Sequence, residues 1–274
     1  MVFTGDRYGR TVPRIDIAER AGVGLDGRER PTEDRVVITD NTAVVLDGAT
    51  EQREGLPSGG WYSRRLAERL ETLLRGRPDE DLTTLLSASI DAVAAEEGLT
   101  PRCSPSSTVA MVRWGSEYVE ALVLADSPVV AFTAHGPEVL LDDRLDRLRA
   151  AGLLRTRADV DRLRNSEGGF WVAEAVPEAA TQALRRRWSR GDVEAAVLAT
   201  DGVSAGIDTY RVLDWPDVLR LSRKNGADAV LDVVRDAEVA DADCRRWPRS
   251  KRHDDQALVV VDFTVDQGVI RVKP

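Results

Sequence analysis

Four groups of acidic residues in this chain stand where a run of β-branched residues starts or stops. Glu33-Asp34 precedes VVITD (36–40), Asp47-Gly48 closes TAVVLDG (42–48), Asp201-Gly202 closes AAVLATDG (195–202), and Asp254-Asp255 opens QALVVVDF (256–263). An antiparallel sandwich can bring such strand ends together, and carboxylates crowded there repel one another strongly unless cations neutralise them. A divalent metal is the natural counter-charge. The two cysteines, Cys103 and Cys244, and the two histidines are not at ligand spacing, so oxygen-only ligation favours a hard ion, Mg2+ or Mn2+, over zinc. Glycine after Asp47 and after Asp201 lets the backbone turn sharply and bring a carbonyl towards an ion. One Asp-Gly alone is a turn signal. Four acidic sites in matching settings point to metal-assisted chemistry.

The elements that must hold these groups follow from periodicity. VVITD and TAVVLDG, split by Asp40-Asn41, predict an antiparallel hairpin. Leu66, Leu70, Leu73 and Leu74 within 61–75, then Leu82, Leu85, Leu86, Ile90 and Val93, predict two amphipathic helices whose leucines are core. STVAMVRW (107–114), YVEALVLAD (118–126) and PVVAFTA (128–134) predict a three-strand meander. The charged stretch that follows, with helical patterns at 143–151 and 158–164, predicts an insertion or flap over one sheet end, spanning about 135–190. Helices are expected over 215–222 and 227–239, and QALVVVDF with VIRV (269–272) predicts a closing hairpin that turns at Asp266-Gln267-Gly268. Hairpins with paired helices give an α+β class: two antiparallel β-sheets packed between helical layers, an αββα sandwich in one domain over 1–274.

Composition narrows the function classes. The 274 residues are 42% hydrophobic and 31% charged, enough for one substantial core. No apolar run approaches the roughly 20 residues of a membrane span, and no secretory leader follows the N-terminal charges, so a cytosolic (cytoplasmic) protein without membrane contact is expected. The formal net charge of −9 disfavours nucleic acid and anionic lipid as partners. A monomer is expected.

The order and setting of TEDR (32–35), VVLDG (44–48), SSTVAMV (106–112), LADSPVV (124–130), LATDGVS (198–204) and HDDQALVVV (253–261) resemble the PPM family of metal-dependent Ser/Thr protein phosphatases, in its bacterial branch. The resemblance spans nearly the whole chain. It implies a binuclear Mn2+ or Mg2+ site with Asp47 shared by both ions, the Gly48 carbonyl offered as a ligand, Asp201 and Asp254 on one ion, and Glu33 supporting the other. Asp34 would act through water, and Asp126, with the Asp201 position, would take a third ion. Asp47, Asp201 and Asp254 are thus the implied catalytic residues, around a water that attacks phosphorus in line without a covalent phosphoenzyme. The implied substrates are phosphoserine and phosphothreonine in proteins. A small phosphorylated metabolite, or a non-catalytic regulatory module on the same scaffold, are the alternatives.

This chain departs from the family pattern at three places. Ala49 stands where eukaryotic members carry a histidine after the DG, Ala125-Asp126-Ser127-Pro128 replaces GDSR, and neither Arg28 nor Arg30 holds the spacing of a phosphate-clamping arginine. Gly22, Gly24 and Gly27 form GxGxxG, but no strand is predicted before it and Pro31 occupies the place of the helix start, so a loop is expected. The basic run RRWPRSKR (245–252) is expected as a loop beside the cleft that meets anionic substrate. His253 is expected to hydrogen-bond within its loop.

Overall fold

The computed structural model describes residues 12–49 and 55–264 and the strand at 270–272. Alternation in RIDIAER produces β1 (Arg14–Arg20), followed by the hairpin strands β2 (Arg35–Ile38) and β3 (Thr42–Leu46) and the short β4 (Gly48–Ala49). Helices α1 (Gly59–Gly76) and α2 (Leu82–Glu97) come next. Ser58 caps α1 by accepting from the Trp61 N–H, and Asp81 caps α2 by accepting from Thr83 and Thr84. The chain continues through β5 (Ser106–Ser107), β6 (Val109–Trp114), β7 (Tyr118–Leu124), β8 (Val129–Thr133) and β9 (Gly136–Leu140). After α3 (Arg144–Ala150) and α4 (Arg157–Leu163) come β10 (Leu184–Ser189) and β11 (Val193–Ala199). Helices α5 (Asp201–Asp208), α6 (Trp215–Asn225) and α7 (Asp228–Ala240) lead to β12 (Gln256–Asp262) and β13 (Ile270–Val272).

The strands build one sheet in the order β13-β1-β12-β11-β8-β9 and a second in the order β10-β7-β6-β3-β2, with β4 and β5 as a separate ribbon. Period-two alternation sends the two faces of each strand into different cores. Ile17, Val45, Val112, Val123, Leu198 and Val259 meet between the sheets. Val44, Leu46, Met111 and Leu122 face α1 and α2 on one outer side, and Val130, Val197, Leu258 and Val260 face α6 and α7 on the other. Burying each such side chain is worth about 1.5–3 kcal/mol, so a one-residue slip of any central strand would exchange two cores and is strongly disfavoured. The result is the α+β, αββα layering.

Two expected connections differ. β8 does not continue the meander: β6 and β7 pair, but β8 pairs with β11 and β9 in the other sheet. The chain changes sheets at Ala125, which adopts φ 68° to do so. At the C-terminus, β13 runs parallel to β1 rather than returning along β12; the expected turn at 266–268 lies outside the described residues. Strands β1, β9 and β10 and helix α5 were not anticipated. Among the described residues no helix is long and apolar enough to cross a membrane, and Cys103 and Cys244 are free thiols.

Candidate active site

Asp47 leaves the end of β3, where its N–H donates to Thr108 Oγ1 (3.1 Å) and its carbonyl accepts from the Thr108 N–H (2.9 Å). Gly48 follows because the backbone of α1 passes directly over it: a Cβ there would collide with Gly59. The start of that helix also fixes Glu33, whose Oε1 accepts from the Gly60 N–H (3.2 Å) and whose carbonyl accepts from Ser63 Oγ (2.6 Å). Asp126 follows the sheet-switching Ala125. Asp201 is the first residue of α5, not the last of a strand, and Gly202 is required there because a Cβ would run into the Asp255 carbonyl oxygen. Asp254 precedes β12, with its N–H 3.3 Å from Glu238 Oε1.

Asp47, Gly48, Asp126, Asp201 and Asp254 line one pocket of about 380 Å3. Its far wall is supplied by Leu145 and Arg149 of α3, Val160 of α4, and Arg164 and Phe170 beyond them. Glu33 stands in an adjoining opening, also about 380 Å3, with Arg30, Arg64 and Trp61. Asp34 lines neither: it is fully buried, its Oδ2 accepting from Thr200 Oγ1 (2.8 Å) and its Oδ1 without a hydrogen-bond partner. Six of the seven sequence-predicted positions therefore line two adjoining openings, and the seventh, Asp34, is buried close enough to Asp201 and Asp254 to feel their charge.

The carboxylates feel one another. Burial, and then the charges of Asp201, Asp34, Asp254 and Asp126, push the Asp47 carboxyl far above the usual range. Asp34 is likewise pushed far up by burial, against the Thr200 hydrogen bond and together with Asp255, Asp201 and Asp254. Asp201 is raised to about 7 by the surrounding protein and then by Asp254 and Asp126, and hydrogen-bonds with Asp47. Because the Asp201 side chain is open to water through the pocket mouth, the neighbouring carboxylates are the firmer of those two causes. Asp126 is raised by burial, with Arg149 opposing from 3.9 Å. Such a set of mutually repelling carboxylates, with one buried oxygen left without a hydrogen-bond partner in Asp34, suits a hard divalent cation. As the side chains stand, no three His, Cys, Asp or Glu residues among those described converge to hold an ion. A protein cation lies among them: Lys251 Nζ is 2.7 Å from Asp254 Oδ1 and 3.3 Å from Asp255 Oδ2.

Several neighbours were missed or only half-seen from sequence. Lys251 sits in the basic run expected beside the cleft, three residues before Asp254, and that spacing was the available signal. Arg249 in the same run is committed elsewhere, to Asp241 and to the Glu238 and Asp241 carbonyls. Of the two arginines near Glu33, Arg30 lines the adjoining opening and Arg28 does not; Arg64 joins it from α1, which no local motif announces. Gly22 of the GxGxxG is a packing position, its N–H donating to Asp255 Oδ1 (2.6 Å). His253 lies 3.3 Å from Glu238 Oε2, and burial with the nearby Arg235, Arg252 and Arg249 presses it down to about 4.

No family model matches the chain, and no curated protein matches its sequence. Solved structures do match. The catalytic domain of the serine/threonine phosphatase PstP, in complex with two manganese ions, shares 15% identity over 90% of this chain and 97% of its own, with a TM-score of 0.57. A PPM Ser-Thr phosphatase of Mycobacterium smegmatis, in complex with cacodylate, gives 15%, 90%, 97% and 0.56. A serine/threonine phosphatase of Staphylococcus aureus gives 13%, 91%, 94% and 0.57. At these identities the likeness is one of fold: the chain has the fold of bacterial PPM-type Ser/Thr phosphatases along nearly its whole length.

Proposed function

We propose that this chain is a divalent-metal-dependent phosphatase acting on phosphomonoesters, its substrates being phosphoserine and phosphothreonine in proteins. The observation that carries the reading is the gathering of Asp47, Asp126, Asp201 and Asp254 in one pocket, with Asp34 buried within reach of their charge, on a phosphatase fold. Mn2+ or Mg2+ would be held by Asp47, Asp201 and Asp254 on one side and by Asp47, the Gly48 carbonyl and Glu33 on the other, with Asp126 and Asp201 serving a third, looser ion. Such ions supply the positive charge that neutralises phosphoryl oxygens and makes water a competent nucleophile.

The chain's own groups do the rest. Thr200 orients Asp34 through the 2.8 Å hydrogen bond, leaving Oδ1 as a buried acceptor without a protein partner behind the carboxylates of the pocket. Arg149 and Arg164 on the pocket wall, with Arg30 and Arg64 beside Glu33, set positive charge around the place where a phosphate dianion would lie. The segment carrying α3 and α4 acts as the flap of the single domain: it limits water access and meets the residues flanking the phosphate.

Purified protein should release phosphate from an aryl phosphate and from phosphopeptides when Mn2+ or Mg2+ is added, and chelator should abolish the release. Side-by-side panels of phosphopeptides and phosphometabolites identify the substrate class. Turnover in excess chelator overturns the metal dependence, and preference for metabolites overturns the protein substrate.

A further inference from the structure

We propose that Lys251 is a resident counter-cation of the carboxylate centre, holding Asp254 while the site has no metal and surrendering it when a divalent ion enters. The inference rests on the metal reading of that pocket and concerns what competes with the ion.

The geometry is specific. The ammonium bridges Asp254 Oδ1 (2.7 Å) and Asp255 Oδ2 (3.3 Å), and the Lys251 side chain is only 18% exposed. Lys251 lines both the acidic pocket and the adjoining opening that contains Glu33, so it stands in the partition between the two openings. Asp255 in turn accepts the backbone N–H groups of Gly22 (2.6 Å) and Glu33 (3.4 Å). The lysine thus fastens Asp254 to the residues that position Glu33. Its loop is anchored independently, by Asp241 and Arg249, so the ammonium can leave Asp254 without the loop unravelling.

Electrostatics gives the bridge a consequence. Several carboxylates gathered in one pocket destabilise the ion-free fold, and an ammonium in hydrogen-bond contact offsets part of that repulsion. When a dication binds Asp254, the same ammonium becomes a like charge a few ångströms away and keeps only Asp255, the more distant of its two partners. Lys251 therefore stabilises the ion-free state more than the loaded one, which weakens metal binding by linkage. Only three lysines occur in the chain. Lysine suits this role better than arginine, being a compact charge on a flexible stem that can withdraw through the partition.

The test uses the full chain, stripped with chelator, and Mn2+ alone as the probe. Lys251→Met keeps the stem and deletes the charge; by calorimetry it should bind Mn2+ at least about tenfold more tightly than the parent, as expected for removing a like charge from an ion site. Its ion-free melting temperature should fall below the parent's, and the rise on adding Mn2+ should be larger. Lys251→Arg, which keeps the charge, should show no gain in affinity over the parent, and a gain equal to that of Lys251→Met overturns the role of the charge. Should Lys251→Met be unfolded without metal, folding induced at Mn2+ concentrations below those the parent needs supports the role, and a need for higher concentrations overturns it. Equal or weaker Mn2+ binding by folded Lys251→Met overturns the role of Lys251 alone. No Mn2+ binding by parent and variant alike overturns the metal reading as well.

Discussion

Thr200 shows how much one hydroxyl settles at this site. Its Oγ1 donates to Asp34 Oδ2 (2.8 Å) and accepts from the Ala257 N–H (3.0 Å), while its own N–H donates to the Ala257 carbonyl (3.0 Å). It therefore ties the start of α5 to β12 and aims the buried Asp34 carboxylate at once. Replacing it with the near-isosteric valine leaves a buried N–H and a buried carboxyl without partners, so Thr200→Val should lose about 1–3 kcal/mol in denaturant unfolding. A loss within error would mean that the hydroxyl is dispensable. The pair Arg113–Glu120 sets a second residue-scale expectation. It is buried, and Arg113 Nη1 also donates to the Pro78 carbonyl (2.9 Å). Arg113→Met strands the Glu120 charge and should cost about 3–5 kcal/mol, towards the lower end because Arg185 stands 3.8 Å from the second Glu120 oxygen.

At the scale of elements, the basic loop after α7 is organised by Asp241. Its carboxylate accepts the N–H groups of Arg245, Arg246 and Trp247, each at 3.0 Å, and the Arg249 guanidinium at 2.8 Å. The Arg246 N–H is foremost among the groups that hold the Asp241 carboxyl down to about 2. A depressed acid stabilises the fold above its unfolded pKa of about 4 and loses that stabilisation as pH falls through the folded value. Asp241→Asn should therefore melt lower than the parent at neutral pH, and the gap should close between about pH 4 and 2; a constant gap would contradict the charge role. This loop also marks the limit of sequence reading. Its basic composition placed it beside the cleft, yet that Lys251 and not Arg249 reaches the pocket carboxylates depends on Asp241 holding the Arg249 guanidinium, a tertiary fact. The hairpin of β2 and β3 and helices α1 and α2 were legible from periodicity, and each DG and DD group from its strand boundary. The switch of sheets at Ala125 was not, because a short turn between two apolar strands reads alike whether they pair or part. β1 was passed over although Ile15 and Ile17 alternate about Asp16, because the run is short and flanked by charges; what alternation does not foretell is that Asp16 too is buried, accepting the Ala227 N–H. β13 was misplaced because a hairpin-like turn outweighed the open edge of β1.

On the scale of the whole molecule, three large cores carry the sandwich, whereas Leu145, Leu148, Val160 and Leu163 of α3 and α4 pack in a small separate cluster with Ala125, Phe170 and Val172. Replacing residues 144–163 with a short Gly/Ser linker should leave the three cores folded and alter selectivity among phosphopeptides more than turnover of an aryl phosphate. Equal losses on both substrates in a folded variant would count against a flap that meets the substrate's flanks. The whole arrangement of sheets, helix starts and strand ends has its consequence at Asp201, the first residue of α5, hydrogen-bonded to Asp47 and crowded by Asp254 and Asp126. The most direct measurement is Mn2+ calorimetry with phosphate release on the parent and Asp201→Asn, a substitution that keeps size and hydrogen bonding but removes one charge. We predict that the parent binds Mn2+ and hydrolyses a phosphomonoester, and that Asp201→Asn loses at least about 100-fold in turnover with weaker Mn2+ binding; a variant that binds Mn2+ and turns over as the parent does would contradict the metal-dependent phosphatase reading of this site.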